Sequence, residues 1–220
     1  MTKAIRVHNT GGPEVMTLED VEVGQPGAGE VRVRHTAIGL NFIDVYFRTG
    51  AYPVQTPFTP GFEAAGVVEA VGEGVNNLSV GDRIAYAAQP IGAYAEERLI
   101  AADRLVKLPD EIADRVGAAI MLKGMTTEYL LRRTYAISAG DTVLFHAAAG
   151  GVGLIACQWA SHLGATVIGT VGSEEKADLA REHGCHHTII YTQEDFVEQV
   201  KEITDGKGVN VVYDAVGKDT

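Results

Sequence analysis

The most constraining stretch of this 220-residue chain runs from Gly140 to Leu163. A short apolar run, Thr142-Val-Leu-Phe-His146, leads into Ala147-Ala148-Ala149-Gly150-Gly151-Val152-Gly153, and the sequence then continues as an apolar helix. Strand, small-residue turn and helix in that order suit few structures. Small residues let the main chain approach a bound phosphate, and the first amides of the helix, at the positive end of its dipole, face that phosphate. Gly150 and Gly153 occupy the second and third glycine positions of a dinucleotide fingerprint, and Ala148 stands in place of the first.

Such a turn carries weight only inside a βαβ pattern, and the residues that follow supply one. Apolar runs at Thr166 to Val171, Thr188 to Tyr191 and Val209 to Tyr213 alternate with helical stretches at Gly151 to Leu163, Glu174 to His183 and Glu194 to Thr204. Each run is short and apolar throughout, as when crossover helices cover both faces of a strand. The pattern predicts a doubly wound parallel sheet with a nicotinamide dinucleotide on the Gly-rich turn.

An NAD site usually places an acid about 20 residues past the turn, on the adenosine ribose. Here that position holds Val171, followed by Gly172, Ser173 and, one helical turn on, Lys176. An acid would repel a 2′-phosphate, whereas this set offers room, a hydroxyl and a positive charge. The predicted cofactor is NADPH. On the plainer alternative, Ser173 only caps the next helix and Lys176 is a solvated side chain.

Before Leu108 the texture differs. Alternating runs at Ala4 to His8, Met16 to Val23, Val31 to His35, Gly66 to Val71, Arg83 to Ala87 and Ala93 to Ile100 are separated by turn residues such as Gly11-Gly12-Pro13 and Pro26-Gly27-Ala28-Gly29, which predicts a mostly β first half. Helical stretches are expected at Ile112 to Met121 and Thr126 to Arg133. The fold class is therefore α/β, with a β domain over residues 1–112 and a doubly wound domain over 113–220.

A formal net charge of -11, with Lys and Arg scattered singly, argues against a primary nucleic-acid role. Two cysteines are too few for a disulfide framework or a four-thiolate zinc site, and they fit a reducing compartment. With neither an apolar run of about 18 residues nor a secretory leader, the expected location is the cytoplasm.

Gly140-Asp-x-x-Leu144-x-x-x-Ala148-Ala149-Gly150-Gly151-x-Gly153, with Gln158 on the following helix, resembles the quinone oxidoreductase (zeta-crystallin) signature of the medium-chain dehydrogenases/reductases. The resemblance extends along the whole chain, through Gly11-Gly12-Pro13-Glu14-Val15, Gly39-Leu-Asn41-Phe-Ile-Asp44-Val-Tyr46, Pro60-Gly-Phe-Glu63-Ala-Ala-Gly66, Leu122-Lys-Gly124-Met-Thr126-Thr127 and Val211-Val-Tyr-Asp214. It is similar above all to bacterial NADPH:quinone reductases. The resemblance implies a GroES-like domain followed by a Rossmann domain, with NADPH in the cleft between them and a homodimer.

It also implies roles for particular residues. Asn41, Asp44 and Tyr46 would approach the nicotinamide and substrate, with Tyr52 nearby. Thr127, Ala149, Gly150, Gly151, Val152 and Val216 would contact the cofactor, and Tyr191 would help Lys176 hold the 2′-phosphate. Read from the residues alone, Asn41 and Asp44 are short polar groups in an apolar run, where an unpaired polar group costs roughly 1–3 kcal/mol. They need partners, or they merely cap the helix that begins there. Tyr46 and Tyr52 could equally be core aromatics.

Zinc-dependent alcohol dehydrogenases share the architecture. In that branch a Cys would stand near Asn41, a His at Phe62 and a further Cys between Met121 and Thr127; this sequence has none of them. No metal is expected, and a quinone accepts reducing equivalents without a Lewis acid. His183-Gly-Cys185-His186-His187 reads as a helix end with Gly184 as its C-cap, Cys157 as core, and His146 as structural.

The expected function is thus metal-free, NADPH-dependent quinone reduction. The alternatives are a zinc-free alkenal or enone reductase, or a non-catalytic NADPH- or RNA-binding relative. Because the family continues past the fourth strand of the doubly wound sheet, the chain is expected to be a fragment or a shortened product, without the usual dimer edge and with an exposed sheet edge prone to aggregation.

Overall fold

The computed structural model describes residues 1–217. By internal contacts the chain divides into Met1–Leu122 and the part from Lys123 onward. The division falls within one helix, ten residues or so beyond the boundary expected near residue 112.

The first unit is built on antiparallel strands. Strand β1 (Thr2–Val7) pairs with β2 (Met16–Val21). A five-stranded sheet runs in the order β6 (Glu97–Ala101), β3 (Glu30–Gly39), β4 (Glu63–Val71), β5 (Arg83–Ala87), β7 (Val106–Lys107). Its core gathers Val31, Val33, Val68, Ile84, Tyr86 and Ile100, all at most 2% exposed. Each aliphatic side chain so buried stabilises the sheet by about 1.5–3 kcal/mol. The single strand expected at Ala93 to Ile100 is half right. Residues 93–96 leave the sheet because Tyr94 N–H donates to Pro60 O, and Ile5 N–H donates to Tyr94 O.

Helix α1 (Phe42–Thr49) follows β3 directly. Asp44 at its third position accepts the Asn41 N–H at 3.0 Å, which satisfies a donor the helix start leaves over. Gly50 ends the helix in the left-handed region at φ 82°. Phe47 anchors it against Val7 and Phe58.

Where two helices were expected near residues 112–133, one helix, α2 (Asp114–Tyr129), runs on into a wider π-type turn over Leu130–Thr134. Gly124 does not break it, since an interior glycine costs a helix only about 1 kcal/mol.

In the second unit four parallel strands lie in the order β10 (His187–Ile190), β9 (Thr166–Val171), β8 (Thr142–Phe145), β11 (Val211–Tyr213). Helices α3 (Gly151–His162), α4 (Glu174–Glu182) and α5 (Phe196–Ile203) connect them. Alternate residues face opposite layers. Val143, Phe145, Val167 and Ile190 join Ala156, Ala160, Ala177 and Ala180 of α3 and α4, while Leu144, Ile168 and Ile189 join Val200 and Phe196 of α5. That is why these strands read as unbroken apolar runs. Among the described residues no helix is long and apolar enough to cross a membrane.

Candidate functional site

Strand β8 gives way to the small-residue turn through one left-handed residue, Ala147 at φ 55°. The chain then doubles back so that Ala148 N–H donates to Thr170 O at 3.0 Å and Gly150 N–H to Ala147 O at 2.8 Å. A Cβ on Gly153 would lie 2.5 Å from both the Ala147 and Ala148 carbonyl oxygens, and one on Gly150 would lie 3.0 Å from Ala147 O. Glycine at 153 is therefore a steric requirement. Ala148 is fully buried, and β9 accommodates it with Gly169, on which a Cβ would come within 2.5 Å of the Ala148 methyl. Among the described residues no side chain caps the start of α3, which suits a backbone cradle for an anion.

A pocket of about 410 Å³ opens at the carboxyl ends of the four strands, the position where doubly wound sheets bind ligands. Ala149, Gly150, Gly172, Lys176, Tyr191 and Val216 all line it. The Tyr191 hydroxyl lies 3.1 Å from where a Cβ on Gly172 would be, so the missing side chain at 172 leaves room for that tyrosine. Lys176 is exposed at the third position of α4.

Five of the expected cofactor residues lie outside this lining, Asn41 in the first unit and four in the second. Ser173 caps α4, its Oγ accepting Lys176 N–H at 3.4 Å. Gly151 lies under the Lys123 side chain, whose Cε would be 2.7 Å from a Cβ there. Val152 packs on the core of this unit. Thr127 is fully buried and donates its hydroxyl to Lys123 O at 2.9 Å.

His146 and the histidine cluster after α4 have structural partners. His146 is buried, with Nδ1 2.9 Å from Thr170 Oγ1 and its ring edge-on to Phe196. Burial lowers its pKa below the ordinary histidine value. Gly184 adopts φ 88°, His183 Nδ1 bonds Leu179 O, and His186 Nδ1 accepts Val167 N–H. Cys157 is fully buried.

In the first unit Asn41 and Asp44 are both buried. The Asn41 side-chain amide donates to Glu63 Oε2 at 2.8 Å, and Asp44 Oδ2 accepts both Asn41 N–H and the Tyr94 hydroxyl, each at 3.0 Å. Asp44 and Asn41 thus share a capping box at the start of α1, and the Asn41 side-chain NH₂ is at the same time tied to Glu63 on another strand. Glu63 and Tyr94 were not singled out from sequence. Glu63 is fully buried at the start of β4, and its second oxygen accepts Leu122 N–H at 2.7 Å. Gly39 leaves it space, since a Cβ there would collide with Glu63 Oε2 and Ala118 O. Burial, then the Asp44 charge, raises the Tyr94 pKa above its ordinary value.

Tyr46 and Tyr52 stand with ring centroids 5.1 Å apart, and Phe42 meets Tyr46 edge-on at 5.1 Å. Phe42 is 71% exposed and Tyr52 45% exposed, so the group is a surface platform rather than core.

Comparison with known proteins gives this architecture a family. Residues 27–110 match the alcohol dehydrogenase GroES-like domain, and residues 151–220 match the family described as zinc-binding dehydrogenase. A quinone oxidoreductase of Pseudomonas aeruginosa is 57% identical over all of this chain and 68% of its own length. The chain belongs to the quinone oxidoreductase family. The crystal structure of Escherichia coli quinone oxidoreductase complexed with NADPH superposes with a TM-score of 0.97 at 50% identity, covering 99% of this chain and 67% of that one. A 2-haloacrylate reductase of Burkholderia is 54% identical over the whole chain and 68% of its own length. Quinone oxidoreductase membership therefore fixes fold and enzyme class, and the substrate has to be argued from the residues.

Proposed function

We propose that this quinone oxidoreductase binds NADPH and uses it to reduce a quinone without a metal. The observation that carries the cofactor is the pocket at the strand ends, where Lys176 and Tyr191 flank Gly172 and no acid stands among the described lining residues. The Gly150–Gly153 turn suits a pyrophosphate, because glycine lets it pack tightly on its own backbone and no described side chain caps the amides at the start of α3. The NADPH complex of the Escherichia coli relative supports the same reading.

Bound NADPH supplies the hydride, and the protein's part is positioning and exclusion of water. Lys176 and the Tyr191 hydroxyl hold the 2′-phosphate, with Ser173 setting the direction of α4 through its cap. Glu63 fixes the Asn41 amide, and Asp44, held by Tyr94, fixes the start of α1. We assign Asn41, Asp44, Tyr46 and Tyr52 to the reacting end, where the Tyr46–Tyr52 pair, its rings tilted 43° to each other, offers aromatic surface to a quinone ring. Metal independence rests on residue chemistry: Asn41, Phe62 and the stretch from Met121 to Thr127 hold neither Cys nor His. A quinone needs no Lewis acid to accept a hydride.

A second reading, reduction of an activated carbon–carbon double bond, is favoured by the 2-haloacrylate reductase relative. NADPH consumption with 1,4-benzoquinone, a 2-haloacrylate and an alkenal, each with and without chelator, tests both. The quinone is expected to show a kcat/KM at least about tenfold above the others and no chelator effect. Preference for either alkene, or loss of activity with chelator, would reject the proposal.

A further inference from the structure

Two thiols play no part in that function. Cys157 lies on the buried face of α3, and Cys185 follows Gly184 at the entry to β10; they are 0% and 4% exposed. They come from separate elements and converge on one spot. A Cβ on Gly169 of β9 would lie 2.7 Å from Cys185 Sγ and 2.5 Å from the Ala148 methyl, and Cys157 Sγ reaches the Ala148 carbonyl at 4.0 Å. From the other side, a Cβ on Gly184 would lie 3.2 Å from the Cys157 carbonyl oxygen, so the turn before Cys185 presses on α3 at Cys157 itself. The glycine in β9 leaves the space between them unfilled by any side chain of its own.

The sulfurs influence each other's protons. Cys185, with burial adding, pushes the Cys157 thiol up, while Cys157 holds the Cys185 thiol down against the opposing effect of burial, helped by the His187 main chain and the Arg181 charge. Cys185 is thus the better nucleophile of the two. It also borders β10, the outermost strand of the sheet among the described residues, and an outer strand opens locally at less cost than the whole fold. Such local opening would let a small oxidant reach Cys185.

We propose that Cys157 and Cys185 are a modification site, closing to a reversible disulfide when the protein meets hydrogen peroxide. The Cys185 thiolate attacks one peroxide oxygen, the O–O bond breaks, and the departing hydroxide takes up a proton as water. This leaves a sulfenic acid on Cys185. Cys157 then attacks that sulfur: the S–S bond forms, the S–O bond breaks, and the hydroxyl leaves as a second water with the thiol proton of Cys157. Two thiols lose two electrons in all, and one peroxide becomes two waters. The bond ties α3, which bears the Gly-rich turn, to the entry of β10, whose far end leads to Tyr191.

The test treats the whole protein with hydrogen peroxide, blocks remaining thiols with N-ethylmaleimide after unfolding, and measures intact mass and the peptide map. Expected are a loss of about 2 Da with no maleimide adduct, one cross-linked peptide joining Cys157 to Cys185, and full reversal by dithiothreitol. Cys157→Ser is expected to stop at a dimedone-reactive sulfenic acid on Cys185. Two maleimide adducts on the treated wild type would overturn the proposal, as would added oxygen without a cross-link or a bond between two molecules. The wild-type peptide map decides this even if the serine variants fold poorly.

Discussion

Glu63 accepts the Asn41 side-chain amide with one carboxylate oxygen and the Leu122 main-chain amide with the other, at 2.8 and 2.7 Å. A fully buried carboxylate serving two donors is costly to disturb, because the donors cannot turn to water instead. Glu63 is in this sense a positioning residue, acting through Asn41.

Glu63→Ala leaves both donors unsatisfied and opens a cavity, and should cost about 2–4 kcal/mol in urea unfolding. Glu63→Gln keeps the volume but turns an NH₂ group toward a donor, and should cost less, about 1–3 kcal/mol. If the two variants were as stable as wild type, the buried pair would have no structural weight.

The contact between Ala148 and Gly169 makes a second prediction. Gly169→Ala should destabilise by about 1–3 kcal/mol, because its new methyl has no room beside the Ala148 methyl. Ala148→Gly in the same chain should recover part of that loss. A double-mutant cycle reads the coupling, and strictly additive effects would show that the two positions do not meet.

Much of the second unit was legible in the sequence, and the reason is physical. Its strands are buried on both faces, so each stands out as an apolar run between cap signals. Thr166–Val171 is found where expected, and the helix after it starts at Glu174 behind Ser173, whose side chain caps it. Less legible was anything set by distant partners. Tyr94 leaves the sheet for Pro60, and Asn41 finds Glu63 across 22 positions of sequence. Nor did the pattern show Ala147 in the left-handed region, because glycine, not alanine, usually marks such a turn. A charged residue opening an otherwise apolar strand, Glu63-Ala-Ala-Gly-Val, was the available signal for Glu63.

His35 gives a pH prediction. Its Nδ1 lies 2.6 Å from Ala95 O and its Nε2 2.8 Å from the Tyr86 hydroxyl. Burial lowers its pKa from 6.5 to about 4. Between those values the unfolded chain binds a proton that the folded chain does not. Stability from this site is therefore complete above pH 6.5 and is lost, by about 3 kcal/mol, as pH falls toward 4. A proton NMR titration should find His35 neutral at pH 5, and a midpoint near 6.5 would contradict the burial argument.

The most direct measurement of the central claim is the affinity of the protein for NADPH and for NADH, by fluorescence titration of wild type, Lys176→Ala and Tyr191→Phe. A charge-assisted contact to the 2′-phosphate is worth about 1.5–3 kcal/mol, or roughly 10–100-fold in Kd. Wild type should prefer NADPH by at least that factor. Lys176→Ala should lose most of the preference and Tyr191→Phe a smaller part, with NADH binding unchanged in both. Equal affinity of wild type for the two cofactors, or a preference that survives Lys176→Ala intact, would contradict the assignment of this pocket.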